Sequence, residues 1–270
     1  MGSTTVNSRH FLFVPLLLLS AVFSVAPAQS LFQLEEKQEA SVSAEPLTAE
    51  EILTECKARM PIGTIFLQGS LNMRKRYGVS LKKMPFEATA RFAGNRSVFR
   101  YKLDLRETGE HTIFTATRTE ADGLAISRSD GLPSPKPADS IEGTDISWLD
   151  ATLDFVWWTN PVLVGSDRIK GRLCNILEVE PPAPLANCKK VRLWIDRSQF
   201  VVLQAEQLNP TPIRRMWVRA VQKVDDCWVL KNMEVETIGS GHRTLLRFDS
   251  VRFLDSTPDH SDETTKDASL

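Results

Sequence analysis

The side chains able to do chemistry are few and widely spaced. Four histidines (His10, His111, His242, His260) and four cysteines (Cys56, Cys174, Cys188, Cys227) occur in 270 residues. No HExxH segment and no close His/Cys pairing has the spacing a metal requires. No GxSxG elbow places a serine on a strand-to-helix turn, and no glycine-rich loop is built to cradle phosphate. Gly239-Ser240-Gly241-His242 sets a serine near a histidine, but it falls between two strand-like segments and reads as a hairpin turn. Asp145 and Asp150 lie near the start of a helical segment, where a carboxylate caps the helix or complements its dipole. The remaining carboxylates are scattered along wet strand faces. The sequence therefore supports neither an enzyme nor a cofactor nor a metal. A hydrolase would need a Ser-His or carboxylate pair assembled from remote positions.

The cysteines invite a different chemistry. Cys174 and Cys188 flank the turn Glu180–Asn187 (EPPAPLAN), near facing positions of one hairpin. A disulfide there would close a loop of about 15 residues, worth about 3 kcal/mol in the chain-entropy treatment. Cys56 and Cys227 are left as a second pair or as two buried thiols.

The elements that would carry these residues follow from periodicity. Thr48 and Glu51 form a capping box, and Ile52, Leu53, Cys56 and Met60 then share a stripe at helical spacing until Pro61. From Thr64 the period changes to two. Ile65, Leu67, Gly69, Leu71 and Met73 alternate with polar residues to Arg74, and Met84, Phe86, Ala88, Ala90 and Phe92 do the same. Phe99, Tyr101, Leu103 and Leu105 continue the pattern, followed by Ile113–Arg118 and Leu124–Ser129, with turns at Gly94-Asn95, Glu107–Gly109 and Asp122-Gly123. Residues 131–145 hold three prolines and two glycines and read as a loop. A second helix is expected over Ser147–Thr159, with Ile146, Leu149, Leu153, Val156 and Trp157 as its apolar stripe, widened by Trp148, Phe155 and Trp158. Strands resume at Asp167–Val179, Lys189–Asp196, Phe200–Gln207, Arg214–Val224, Trp228–Thr237 and Arg243–Leu254.

The expected fold is mainly β: an unclosed antiparallel half-barrel of about ten or eleven strands, with two helices over its concave face. Two short helices cannot fill such a face as a second sheet would, which leaves a greasy interior. Its candidate lining is Leu67, Leu71, Met73, Phe86, Phe92, Phe99, Tyr101, Leu149, Leu153 and Trp157. Met60, Met73 and Met84 fall on the same side. Plain core filling is the simpler reading of those methionines, and the tryptophan-rich helix is either a lid or core.

The N-terminus reads as an export signal. Arg9 precedes the apolar run Phe11–Val25, too short to span a bilayer comfortably, and Ala26-Pro27-Ala28 offers a cleavage site. A signal peptide over 1–28, a flexible leader over 29–46, one domain over 47–255 and a disordered tail over 256–270 are the expected divisions. No cysteine ends the apolar run, so a released periplasmic protein is expected rather than a lipid-anchored one. The chain carries 33 Lys+Arg against 34 Asp+Glu, and Arg9 is the only charged residue of the signal. A nearly balanced charge argues against nucleic-acid binding, and a monomer is expected.

Several segments together are similar to one family. Gly143–Asp150 resembles its G-T/S-D-F/I-S-x-x-D segment before a central helix, Val191–Arg197 its WID strand, Val224–Val229 with Met233–Val235 a hairpin, and Phe248–Phe253 its closing strand. Over roughly residues 48 to 255 the chain resembles the outer-membrane lipoprotein-sorting (LolA-like) family, in its larger bacterial branch. Asp226-Cys227 departs from the pattern where glycine is common. The resemblance implies an unclosed barrel with a helical lid and an apolar cavity that carries acyl chains of lipoproteins or lipids. It also implies an inner-membrane releasing transporter and an outer-membrane acceptor as partners. A periplasmic sensor or regulator that binds a membrane protein is the alternative use of that fold.

Overall fold

The computed structural model describes residues 46–254 except 76, 95, 105–110, 186 and 225–226. The signal peptide, all of the leader but Pro46, and the tail lie outside the described residues. The first helix, α1 (Ala49–Ala58), starts as its sequence requires: Thr48 Oγ1 accepts from the Glu51 amide at 3.3 Å, and Glu51 accepts from the Thr48 amide at 2.8 Å. Its buried stripe is Ala49, Ile52, Leu53 and Cys56.

Twelve antiparallel strands form one sheet. The first meander is β1 (Gly63–Lys75), β2 (Ser80–Ala93), β3 (Arg96–Asp104), β4 (His111–Thr119) and β5 (Gly123–Arg128). The second is β6 (Val162–Ile169), β7 (Arg172–Val179), β8 (Lys190–Asp196), β9 (Val202–Leu208), β10 (Pro212–Val224), β11 (Cys227–Thr237) and β12 (His242–Leu254). The strand order is β5-β4-β3-β2-β1-β12-β11-β10-β9-β8-β7-β6, so the first and last strands pair at the centre and β5 and β6 are the two free edges. The sheet is a half-barrel that does not close. The segment from β5 to β6 must travel from one edge to the other, and it does so across the concave face.

The strand count exceeds the sequence expectation because one segment is two strands. Asp167–Val179 folds at Lys170-Gly171, both with positive φ (50° and 84°), and the extra strand β6 extends back to Val162. Residues Val162–Arg168 are all exposed. A strand buried on neither face has no alternation for a pattern to reveal.

The second helix is also different. Helix α2 (Trp148–Thr152) ends where Leu153 takes a left-handed conformation (φ 51°, ψ 36°), and a 3-10 turn (Asp154–Trp157) follows. Ser147 and Asp150 supply a second capping box. The 3-10 turn is anchored by Asp154, which accepts from Trp158 Nε1 at 2.9 Å and lies 3.4 Å from Arg118 of β4.

The expected Cys174–Cys188 disulfide is not formed, and all four cysteines are free. The β7–β8 register is the reason. Cys174 stands opposite Asp196 at one end of the hairpin, while Val179 pairs with Val191 near the other end, beside Cys188. Five strand steps separate those ends, about 17 Å, against the roughly 7 Å of Cα separation a disulfide tolerates. Cys174 packs with Trp194 and Leu203 in a small separate cluster, whereas Cys188 belongs to the main core. Burial pushes the thiols of Cys174 and Cys188 up to about 11, and that of Cys56 to about 12. These three buried thiols should resist alkylation in the folded protein near pH 8, and all four should react in denaturant without reductant. Fewer than four reactive thiols in denaturant would contradict this assignment.

The β7–β8 hairpin carries a buried ion pair. Arg172 donates through Nε and Nη2 to Asp196 at 2.6 and 3.0 Å, and the amides of Ser198 and Gln199 donate to the same carboxylate at 3.0 and 2.7 Å. Burial alone would raise the Asp196 pKa, but the hydrogen bonds from Arg172, Ser198 and Gln199 outweigh it and hold it below the usual 3.8. A depressed folded pKa stabilises the protein above the unfolded value, and that stability is lost as pH falls through the folded value. Asp196→Asn should therefore be less stable than wild type at about pH 6 and should lose less on acidification to about pH 3. Denaturant titration measures both slopes, and parallel declines would contradict the account.

Candidate functional site

An open cleft lies between the concave face and the segments that cross it. It encloses about 1100 Å³, its solvent-open mouth included. Both meanders contribute walls: Ile65, Leu67, Ala90, Phe92, Phe99 and Tyr101 from the first, and Val202, Val218, Val221, Val229, Leu230 and Phe248 from the second. Ala151–Leu153 forms the roof, and the C-terminal end of α1 with Met60 and Pro61 borders the mouth, as do Phe200 and Trp228. Elsewhere the same face is filled. Trp148 packs on Phe114 (4.9 Å between centroids) over the first meander, while Phe155 and Val156 are fully buried in the core that includes Leu177, Val179 and Val191. The cleft is the part of the face that the helical segments roof without filling.

Aromatic edges define one wall. Phe92 meets Phe99 at 5.5 Å, Phe99 stacks on Tyr101 at 6.4 Å, and Phe86 joins Tyr101 to Phe248 at 6.1 and 5.8 Å. The Tyr101 hydroxyl donates to the Ala151 carbonyl at 3.0 Å, which pins the roof to the sheet. Burial raises the Tyr101 pKa well above its usual value, so the hydroxyl stays protonated as a donor.

The ten residues expected to line a cavity separate into groups. Leu67, Phe92, Phe99, Tyr101 and Leu153 line the cleft. Leu71 and Phe86 border a much smaller space against Trp148 and Leu246. Leu149 is core, and Met73 sits in β1 between Lys82 and Thr244 without reaching the cleft. Trp157 lies beneath the Arg118 guanidinium at 4.4 Å, with Lys57 Nζ at 5.8 Å. The wall from β9 to β12 was missed. In β10 the pairing with β11 shifts around Ala220, which brings Val218 and Val221 to the same side although they are three apart. Phe200 occupies a positive-φ position (54°) in the β8–β9 turn. The apolar alternation of β12 would have pointed to Phe248.

The Asp145 region is the nearest approach to a catalytic constellation. The buried Asp145 carboxylate accepts from Thr244 Oγ1 at 2.9 Å and the Thr237 amide at 3.1 Å, and hydrogen-bonds His242 Nδ1 at 2.9 Å. The expectation of a helix cap holds for Asp150 and fails for Asp145, which instead ties the crossing segment to the β11–β12 hairpin. Ser240 does not complete a triad. Its hydroxyl donates to the His242 carbonyl at 3.1 Å and accepts from the His242 amide at 3.3 Å, as a turn residue does. Among the described residues, no group of His, Cys, Asp and Glu is arranged to hold a metal. No described helix is long and apolar enough to cross a membrane.

The half-barrel and its roofed apolar cleft define a LolA-like fold. A DUF1329 family protein from Desulfovibrio piger aligns with a TM-score of 0.66 and 16% identity over 76% of this chain and 91% of that one. A domain from Vibrio parahaemolyticus assigned to outer membrane lipoprotein sorting gives 0.62 and 15%, over 77% and 93%. A LolA superfamily protein from Nitrosomonas europaea gives 0.61 and 13%, over 78% and 95%. Residues 125–261, just over half of the chain, match the family described as "Uncharacterized protein", and the chain belongs to that family. No curated protein matches it in sequence.

Proposed function

We propose that this protein is a carrier that takes acyl chains of lipids or lipoproteins into its cleft. The observation that carries this reading is an open cleft whose walls are almost wholly aliphatic and aromatic and come from both meanders. Apolar surface left in water costs about 25 cal/mol per Å², and ligand sites are typically concave, mostly apolar clefts with few polar groups on their walls. An occupant with a long apolar body removes that cost. The named role of the Vibrio parahaemolyticus relative supports lipoprotein acyl chains as one cargo. We place the protein in the periplasm on the strength of the Phe11–Val25 apolar run and the Ala26-Pro27-Ala28 site. There a releasing transporter of the inner membrane and an acceptor at the outer membrane are its partners.

Native mass spectrometry of the protein as purified tests the carrier reading. Adducts of lipid mass, removed by organic extraction and restored by incubation with lipid, are expected. A protein free of lipid that also fails to take up a fluorescent fatty acid would overturn it. Capture of a membrane protein by the delipidated form would point to a sensor instead.

A further inference from the structure

One charge on the cleft lining is held only by half-exposed partners at the mouth. The charged side chains on its lining are Arg59 and Asp150. Asp150 is saturated: it accepts from the amide and hydroxyl of Ser147 at 2.9 and 2.6 Å and from Gln207 at 3.3 Å, and Arg214 lies 3.5 Å away. The neutral polar groups of the roof and wall are occupied as well. Thr152 donates to the Trp148 carbonyl at 2.8 Å, and Tyr101 to that of Ala151. Arg59 differs. Its guanidinium stands 5.8 Å from the centroid of Phe200 at the mouth and meets Glu55 at 3.7 Å, with both side chains about half exposed (56% and 46%). An exposed helical pair of that kind contributes little and yields readily to a better partner.

We infer that Arg59 reads the headgroup of the cargo, and that the preferred cargo is an acyl chain ending in an anion, a carboxylate or a phosphate. The inference rests on the carrier reading and adds the chemistry of the head to that of the tail. With the chain between Phe99, Val218 and Phe248, its head emerges at the mouth, where a planar guanidinium can donate two parallel hydrogen bonds to a carboxylate or phosphate. The last turn of α1 repels anions weakly through its dipole, so the guanidinium, and not the helix end, is the recognition element. Neutral heads gain nothing from Arg59, which makes it a specificity-determining residue.

Competition against a fluorescent acyl probe on the delipidated full chain tests this with dodecanoate, dodecyl phosphate and dodecanol. Wild type is expected to bind at least one of the two anions about fivefold more tightly than dodecanol, with the margin shrinking at high salt. Arg59→Gln should erase the margin, and Arg59→Glu should invert it, each with only a small fall in the unfolding midpoint from loss of the Glu55 contact. Preference for the phosphate alone assigns the head to a phospholipid, and preference for the carboxylate alone to a fatty acid. Equal binding of all three, or a margin that survives Arg59→Gln, overturns the inference and leaves the carrier reading standing. Binding of none of the three overturns the carrier reading itself.

Discussion

Gly69→Ala is expected to lower the unfolding free energy by about 2–3 kcal/mol, the cost of overpacking where no side chain can yield. Gly69 stands in β1 opposite Phe86 of β2 and Phe248 of β12, at the centre of the sheet. A Cβ there would come within 2.0 Å of the Arg247 carbonyl oxygen and 3.0 Å of the Phe86 ring. The first obstacle is backbone, so relief means separating β1 from β12, the one pairing that joins the two meanders. Intrinsic preference points the other way, because replacing glycine in a strand restricts the unfolded chain and by itself stabilises by about 0.4–1 kcal/mol. The sign of the change therefore decides between the two effects. A fall in the melting midpoint of roughly 5–10 °C is expected for a domain of this size. An unchanged or raised midpoint would show that the β1–β12 contact is looser than described.

Asp145→Ala is expected to cost about 3 kcal/mol or more, because it strands several buried partners at once. The Thr237 amide, the Thr244 hydroxyl and the His242 ring all lose their acceptor. The Asp145 side chain is fully buried while that of His242 is 30% exposed, so water can reach His242 more readily than the other two. Asp145→Asn keeps the shape and one acceptor oxygen and should lose less. Beyond stability, the crossing segment would be freed from the β11–β12 hairpin. Amide exchange should then accelerate in Ile141–Trp148 more than in β3 or β4. Equal stability of Asp145→Ala and wild type would contradict the anchoring role.

The fold was legible where burial is one-sided. Met84, Phe86, Ala88 and Ala90 alternate with less buried neighbours, so β2 could be read directly, and the same holds for β3 and β4. The capping box at Thr48 and Glu51 announced α1 for a local reason, since four consecutive residues suffice to make it. What was not legible depends on distance or on exceptions to period. β6 is exposed on both faces and leaves no pattern. Leu153 breaks the second helix with a left-handed φ that a leucine does not advertise. The Cys174–Cys188 pairing looked sound from turn length alone and failed on register. Leu67, Phe92, Phe99 and Tyr101 of the first meander stand on one wall of the cleft, whereas in β10 the shift around Ala220 displaces the alternation that would have marked Val218 and Val221. The role of Asp145 needed partners more than ninety residues away, which no local reading supplies.

On the proposed carrier role, the cleft and no other surface takes an acyl chain. Methyl NMR during titration with dodecanoate tests it most directly. The methyl groups of Leu67, Leu153, Val218 and Val229, all on the cleft wall or roof, should shift together and saturate. Those of Leu177 and Val191, core residues outside the lining, should hold still. Shifts confined to the separate cluster around Leu203 and Ile176, or none at saturating ligand, would contradict this.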